Sequence, residues 1–221
     1  MNSVIFSKVY SEPEFCQKEI LHYAGCGQAN SELLSLCEDC IKEVRSQLTY
    51  KVCYRELDVA ISNDCCDFGV FSLHSKNLAA NLSGCEKVIV FAATVGVGID
   101  RLITKYGHIS PSRALMISAI GAERIEALCD MFCNDISKAM KVGLKPRFSP
   151  GYGDLSINTQ KNIFSVLDCS KRIGISLNDS MLMSPSKSVT AFIGITDNEG
   201  EQSINKCNAC NKKDCAFRGA L

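Results

Sequence analysis

The chain has 221 residues, 46% hydrophobic and 22% charged, a composition that predicts a folded globular protein with one sizeable core and excludes a disordered chain. Its 24 Lys and Arg residues balance its 24 Asp and Glu residues, so the charge gives no reason to expect binding to nucleic acid or to an anionic membrane surface. No apolar run is long enough to span a bilayer and no signal peptide is evident, so we expect a soluble protein of the cytoplasm.

Fourteen cysteines are the one extreme feature of the composition. Disulfide frameworks are typical of small secreted proteins, whereas this chain is large and shows no export signal, so reduced thiols are predicted. Some are expected to be buried as small apolar groups, and others are candidates for metal binding. Cys37 and Cys40 are spaced to suit one metal ion, but they fall on the apolar face of a predicted helix, which favours core packing.

A short extended lead-in and two helices are predicted at the N-terminus. Ser11 and Glu14 have the spacing of a capping box, which predicts a helix over residues 11–24. Apolar residues at helical spacing predict a second helix over residues 31–48.

Strand patterns follow. Alternating apolar residues predict a strand over residues 50–62, with a bulge near Glu56 where the alternation changes phase, and another strand over residues 67–73. A short helix is predicted over residues 76–82. The continuous apolar run at residues 87–93 is typical of a buried central strand.

Gly96 and Gly98 separate this apolar run from an amphipathic helix predicted over residues 99–106. A Gly-x-Gly turn before a helix can bind a nucleotide phosphate. However, the third glycine of the dinucleotide motif and the lysine of a P-loop are absent, and a tight turn explains both glycines equally well.

A long helix is predicted to start at Ser110 and Pro111 and to continue towards Lys141. Three acidic residues of this helix share one face, which is ordinarily a solvated surface: Glu123, Glu126 and Asp130.

The C-terminal part adds a predicted helix over residues 159–172 and a strand over residues 188–196. Strands and helices do not alternate regularly enough for a parallel sheet. We therefore predict a single α+β domain, residues 1–206, followed by a cysteine-rich tail at residues 207–221.

Residues 147–152 (Arg-Phe-Ser-Pro-Gly-Tyr) combine residue types that are suited to ligand binding. Arg147 offers a planar cation that fits a carboxylate or phosphate. Pro150 stiffens the chain, while Gly151 lets backbone approach a bound molecule and Tyr152 adds a flat ring with a hydroxyl group. Taken alone, these residues are also typical of an ordinary ordered turn.

This Arg-x-x-x-Gly-Tyr motif is followed at residues 177–185 by Leu-Asn-Asp-Ser-Met-Leu-Met-Ser-Pro and at residues 187–189 by Lys-Ser-Val. Together these segments resemble the activation domain of cobalamin-dependent methionine synthase, and more closely the stand-alone bacterial proteins of that family. The similarity covers about residues 118–195 and is diffuse in the N-terminal half.

The resemblance implies a C-shaped α+β fold, an antiparallel sheet flanked by helices, that binds S-adenosylmethionine in a cleft. A guanidinium would pair with the methionine carboxylate, and a carboxylate would balance the ligand's ammonium or sulfonium. Six residues are thereby predicted to bind the cofactor: Glu126, Arg147, Ser149, Pro150, Gly151 and Tyr152.

The function implied is reductive remethylation of cobalamin. Co(I) occasionally oxidises to inactive Co(II), and methyl transfer from the sulfonium traps the re-reduced metal, so the chain mainly positions the methyl group and needs no catalytic nucleophile. The sequence lacks an Asp-x-His-x-x-Gly cobalamin loop, which implies cobalamin in trans on a partner methyltransferase, and an electron donor such as flavodoxin or ferredoxin. Two alternatives are a non-catalytic module that binds S-adenosylmethionine or a corrinoid protein, and a metal or Fe–S redox protein.

Three features of the sequence differ from what the resemblance implies or constrain the geometry of the site. The family's second acidic contact has no clear match in the N-terminal half, where Asp58 is only a candidate. Lys187 stands where the fused enzymes have a small residue. A helix running unbroken for about 26 Å beyond Glu126 would carry the chain away from the site, so we predict that the helix ends near Ser137 and that the chain doubles back to place Arg147.

Cys207, Cys210 and Cys215 form a Cys-x-x-Cys-x4-Cys pattern in a hydrophilic, Lys-rich setting, which is typical of zinc or iron–sulfur ligation. With three thiolates, a fourth ligand must come from elsewhere or a cluster has an open site. A reduced tail without metal is the alternative.

Overall fold

The computed structural model describes residues 4–26 and 30–197. Within those ranges the elements follow in this order: β1 (Phe6–Tyr10), α1 (Gln17–Tyr23), α2 (Ser31–Arg45), β2 (Tyr50–Asp58), β3 (Ala60–Ser62), β4 (Cys65–Asp67), β5 (Ser72–His74), α3 (Lys76–Asn81), β6 (Lys87–Thr94), α4 (Gly98–Tyr106), α5 (Pro111–Met140), β7 (Gly143–Leu144), α6 (Thr159–Leu167), α7 (Cys169–Ile173), β8 (Ser176–Leu177), β9 (Met183–Ser184) and β10 (Ser188–Thr196).

Five strands form an antiparallel sheet in the order β1-β2-β6-β10-β7. The central strands β6 and β10 are buried on both faces. The continuous apolar run of β6 predicts this burial, whereas the sequence of β10 alternates between apolar and other residues and predicts a strand with one apolar face. One core lies between the sheet and helices α1, α2, α4 and α5, and includes Cys37 and Cys40. The second core lies between the sheet and helices α3, α6 and α7. The predicted α+β class, with an antiparallel sheet flanked by helices, is confirmed.

Helix α5 is unbroken for 30 residues, so the prediction that it ends near Ser137 is wrong. The chain reverses at Lys141, whose backbone is left-handed with φ of 54°. From Glu126 to the end of α5 the helix rises about 21 Å. The six extended steps from Lys141 to Arg147 return about 20 Å. Arg147 therefore comes back level with Glu126 without any shortening of the helix.

The N-terminal helix is shorter than its capping-box pattern predicts, because α1 begins only at Gln17. Arg124 of α5 donates hydrogen bonds to the carbonyl oxygens of Pro13 and Glu14, at 2.5 Å each. Its guanidinium also lies 3.8 Å from the ring centroid of Phe15. These tertiary contacts hold the segment in a non-helical path and override its local preference.

The strand predictions need two corrections. Strand β2 pairs with β6 in one uninterrupted register through Asp58, so there is no bulge near Glu56, and residues 60–62 belong to a separate small sheet. Residues 67–73 form the turn of a β4–β5 hairpin and not one strand. Asp67 builds this turn, because its Oδ1 accepts hydrogen bonds from the backbone N of Gly69 and from Ser72 Oγ.

Two further local features have clear causes. The helix predicted over residues 159–172 is divided into α6 and α7 at Asp168, which is left-handed with φ of 51°. A Cβ atom at Gly96 would clash with the side chain of Thr49, and one at Gly98 with the carbonyl of Gln47. Close packing against the α2–β2 connection thus accounts for both glycines.

Candidate ligand-binding site

The guanidinium of Arg147 lies against α5 and faces two carboxylates. Its Nη1 donates a hydrogen bond to Asp130 Oδ1 at 2.5 Å, and its Nη2 donates to Glu126 Oε2 at 2.7 Å. Nη1 also lies 3.8 Å from Cys133 Sγ. The Arg147 side chain is 10% exposed, whereas the side chains of Glu126 and Asp130 are 38% and 66% exposed. The cation is therefore nearly enclosed, while its carboxylate partners reach solvent.

The charges around Arg147 keep it protonated. Burial alone would lower the pKa of Arg147, but the nearby groups of Cys129, Asp130 and Glu126 outweigh burial and raise it. Helix α1 brings Tyr23 close to the same carboxylates. Burial, followed by the charge of Glu126, raises the pKa of Tyr23 to about 12, so this phenol is neutral at physiological pH.

The turn after Arg147 is fixed to the sheet and closed on itself. The backbone of Phe148 exchanges two hydrogen bonds with Phe192 of β10, each 2.9 Å long. Gly151 has φ of 91°, and its backbone N donates to the carbonyl of Leu155. Pro150 is buried, while Tyr152 is 57% exposed and packs edge-on against Phe148 at 6.4 Å. The turn thus presents the Tyr152 ring to solvent on a rigid support.

Asp154 ties the far end of this turn to the N-terminus of α3. Its carboxylate accepts hydrogen bonds from the Ser75 hydroxyl and from the backbone N of Lys76 and Asn77. The Asn77 side chain in turn accepts a bond from the backbone N of Asp154. Both ends of the turn are therefore held by regular structure.

The structure brings the predicted ligand residues together in two groups. Glu126 and Arg147 contact each other directly, and the remaining four residues follow Arg147 in one turn: Ser149, Pro150, Gly151 and Tyr152. The prediction of a solvated acidic face is wrong for Glu123 and correct for Asp130, whose side chain is 66% exposed although it bonds Arg147. Glu123 is buried in an ion pair with Arg124, and Glu126 and Asp130 hold Arg147.

Sequence reasoning did not identify Asp130 and Cys133 as neighbours of Arg147. The available signal was their spacing, because Asp130 follows Glu126 by four residues and Cys133 follows Asp130 by three, which places all of them on one helix face. The contact of these residues with Arg147 was not predictable from their spacing, because it depends on the chain reversal at Lys141.

Comparison with known proteins identifies the family. A family model described as "Vitamin B12 dependent methionine synthase, activation domain" matches residues 75–219, well over half of the chain. The chain belongs to this family. A solved structure of the MetH reactivation domain bound to AdoHcy has the same fold, with a TM-score of 0.66 over 88% of this chain and 79% of that chain at 14% sequence identity. No curated protein matches the sequence.

Lys187 packs along α5 in this activation domain. Its Nζ donates a hydrogen bond to Ser118 Oγ at 3.1 Å, and a Cβ added at Gly121 would lie 2.9 Å from Lys187 Cγ. The long side chain thus fits because residue 121 has none. Burial lowers the pKa of Lys187, and the charge of Asp100 only partly opposes this.

Asp58 lies at the end of β2, opposite Lys87. Strands β6 and β10 separate β2 from the return segment that carries Arg147, a distance of about 14 Å at ordinary strand spacing. Asp58 is therefore not part of the Arg147 cluster.

The candidate metal ligands Cys207, Cys210 and Cys215 lie outside the described residues. Within residues 4–26 and 30–197, no group of three or more His, Cys, Asp or Glu side chains is arranged to hold a metal ion. No helix in these same ranges has the length and apolar character needed to cross a bilayer.

Proposed function

We propose that this activation domain binds S-adenosylmethionine at the Arg147 cluster and supports reductive remethylation of a corrinoid that a partner methyltransferase holds. The observation that carries the proposal is the enclosed guanidinium of Arg147 between two solvent-reaching carboxylates, next to a rigid turn with an exposed aromatic ring. Membership of the family supports the same conclusion.

The charges of the cluster complement those of S-adenosylmethionine. The amino-acid end of this ligand carries a carboxylate and an ammonium group, and its sulfur is a cation. Arg147 offers the planar fork that suits the carboxylate. Glu126 offers a negative group for the ammonium or the sulfonium. Because one cation stands with two anions, the cluster is net negative and matches a ligand that is net positive.

The turn would hold the nucleoside part and orient the methyl group. Backbone approach at Gly151 leaves room for the adenosyl group, with Ser149 and Pro150 shaping the same wall, and Tyr152 faces outwards where a corrin ring would arrive. A Co(I) corrinoid on the partner would supply the electron pair of the new Co–C bond. The electron pair of the broken C–S bond would stay on sulfur, so that AdoHcy would be the second product. The domain's contribution is alignment of methyl and acceptor.

Cobalamin is proposed to arrive in trans, on a methionine synthase or related methyltransferase. The single electron that converts Co(II) to Co(I) is proposed to come from a flavodoxin or ferredoxin, in the cytoplasm. The sequence contains no Asp-x-His-x-x-Gly loop that could bind the corrin itself.

A reconstitution assay tests this proposal. The protein is mixed with a cobalamin-binding methionine synthase fragment in the Co(II) state, S-adenosylmethionine and a low-potential reductant. We expect the methylcobalt absorption spectrum to appear with the wild-type protein and with Arg172→Ala, a control at an exposed arginine of α7, but not with Arg147→Ala. If the spectrum forms equally fast with Arg147→Ala, or forms without the protein, the proposal is wrong.

A second candidate is a module that binds S-adenosylmethionine without turnover. The contacts of Arg147 and Glu126 support ligand binding whether or not a methyl group is transferred. Saturable binding together with no methylcobalt spectrum, in the presence of an active positive-control enzyme, would favour this module.

For the tail, we propose that Cys207, Cys210 and Cys215 ligate zinc or an iron–sulfur cluster, which in the latter case would deliver electrons to cobalt. Protein purified without oxygen is assayed for zinc, iron and sulfide, alongside Cys210→Ser. We expect stoichiometric metal in the wild-type protein and a loss in the variant. Absence of both metals from the wild-type protein would rule this out.

A further inference from the structure

We infer that Asp130 occupies, in the ligand-free protein, the position on Arg147 that the carboxylate of the incoming ligand takes, and that Asp130 leaves when the ligand binds. This inference rests on the proposed function, because it concerns the same site. Asp130 thus competes with the ligand carboxylate for Arg147 and determines specificity, and it is not itself a contact of the bound ligand.

Both terminal nitrogens of the Arg147 guanidinium already have carboxylate partners. Nη1 donates to Asp130 Oδ1 at 2.5 Å and Nη2 donates to Glu126 Oε2 at 2.7 Å. Arg147 is only 10% exposed, so a ligand carboxylate has little other access to it. A bidentate pair with a new carboxylate requires two N–H groups on one side of the fork. One of the two resident acids must therefore give way.

Asp130 is the more easily displaced of the two. Its side chain is 66% exposed, against 38% for Glu126, so its carboxylate can return to water at small cost. Among the described residues, the side chain of Asp130 has hydrogen bonds to Arg147 alone. Glu126 has interactions besides its bond to Arg147, and its side chain is less exposed than that of Asp130. Glu126 is therefore held in place and remains available for the ammonium group.

The exchange predicts selectivity for ligands with a free carboxylate. Such a ligand replaces one carboxylate of Arg147 with another, so no charge is left unpaired in the enclosed site. A ligand without a carboxylate meets an arginine that is already neutralised, and it gains nothing from displacing Asp130. Removal of the Asp130 carboxylate should therefore increase the affinity for ligands that have a free carboxylate, and not the affinity for ligands that lack one.

Calorimetric titrations of Asp130→Ala and Asp130→Asn test the inference. The ligands are S-adenosylmethionine, AdoHcy and decarboxylated S-adenosylmethionine, which lacks the carboxylate. We expect AdoHcy and S-adenosylmethionine to bind about three- to tenfold more tightly to the variants, as for loss of one competing ion pair. The decarboxylated ligand should not bind more tightly. AdoHcy is the clearest probe, because it has no net charge and does not sense the general loss of a negative charge.

Asp39→Asn is the matched control, since Asp39 is an exposed partner of Lys42 on α2 and should leave all affinities unchanged. Unchanged or weaker binding of AdoHcy to both Asp130 variants would overturn the inference, and a uniform weakening of all three ligands would identify Asp130 as a direct or merely structural contact. If the wild-type protein binds none of the three ligands, the proposed function itself is wrong. If the wild-type protein binds them but the Asp130 variants do not bind AdoHcy more tightly, only the inference about Asp130 is wrong.

Discussion

The Arg124 and Arg147 clusters both involve carboxylates of helix α5, and they differ in whether the partners of the arginine are able to leave. The side chain of Arg124 is fully buried, and it bonds Glu123 and the backbone carbonyls of Pro13 and Glu14. Arg147 is also nearly buried, but it bonds two side chains that reach water. The same chemistry is therefore structural where the partners are fixed and suited to binding where they are exchangeable.

The largest expected effect is on the fixed cluster. Arg124→Met leaves the Glu123 carboxylate buried without its cation, and we expect the free energy of unfolding to fall by about 3–5 kcal/mol. Urea denaturation measures this. The double variant Glu123→Gln/Arg124→Met removes both charges and should recover a large part of the loss. A fall of less than about 1 kcal/mol in the single variant would contradict a structural role for the pair.

The corresponding change at the exchangeable cluster should cost little stability. Arg147→Ala releases Glu126 and Asp130 into water, so we expect a loss of no more than about 1–2 kcal/mol in the same denaturation experiment. Arg172→Ala provides the baseline for an exposed arginine. A loss as large as that of Arg124→Met would remove the distinction between the two clusters.

A smaller effect is expected at Asp154, which anchors the turn that follows Arg147. The Ser75 hydroxyl, and then the backbone N–H groups of Lys76 and Asn77, lower the pKa of Asp154. A carboxyl group with a lowered pKa stabilises the fold above its ordinary value of 3.8, and this contribution is lost as the pH falls through the folded-state value. Asp154→Asn should therefore be less stable than wild type at neutral pH and weaken ligand binding less than Arg147→Ala does.

Measuring the stability of wild type and Asp154→Asn at a series of pH values tests whether the Asp154 charge causes the difference between them. Urea midpoints of the wild-type protein and Asp154→Asn should converge as the pH is lowered from about 6 to about 3. A constant difference across that range would show that the Asp154 charge is not what anchors the turn.

The smallest effect is expected at Lys187, another cation that packs against α5, whose hydrogen-bond partner is the hydroxyl of Ser118 and not a carboxylate. Burial lowers the pKa of Lys187, so its charge is disfavoured in the folded state, and wild-type stability should rise as the pH increases towards 10.5. Lys187→Met should be slightly more stable at neutral pH, by less than about 1 kcal/mol, and should lack that rise. Thermal unfolding between about pH 7 and pH 10 checks both; a less stable variant would contradict the account.

The sequence predicts well those elements whose own residues decide their structure. The apolar run of β6, the alternating strand β10 and the Ser75-capped helix α3 are found where expected. The failures have tertiary causes. Arg124, more than 100 residues away along the chain, donates hydrogen bonds to backbone carbonyls of the predicted first helix and prevents its first turn from forming. Asp168 divides a continuous helical pattern by adopting a left-handed conformation, which local periodicity does not reveal.

The candidate site shows the same division. The motif at residues 147–152 predicts a binding turn, but the contact of Arg147 with Asp130 depends on where α5 ends and on the length of the returning segment. Neither is encoded in the motif itself. The pairing of β7 and of Phe148 with β10 fixes the position of Arg147 relative to α5.

The most direct test of the central claim is a calorimetric titration of S-adenosylmethionine into the wild-type protein, Arg147→Lys and Arg147→Ala. We predict one saturable site, weaker by at least about tenfold in Arg147→Ala and intermediate in Arg147→Lys, which keeps the charge but not the planar fork. Equal affinities in all three proteins, or no binding to the wild type, would contradict the claim that Arg147 binds the amino-acid end of the ligand.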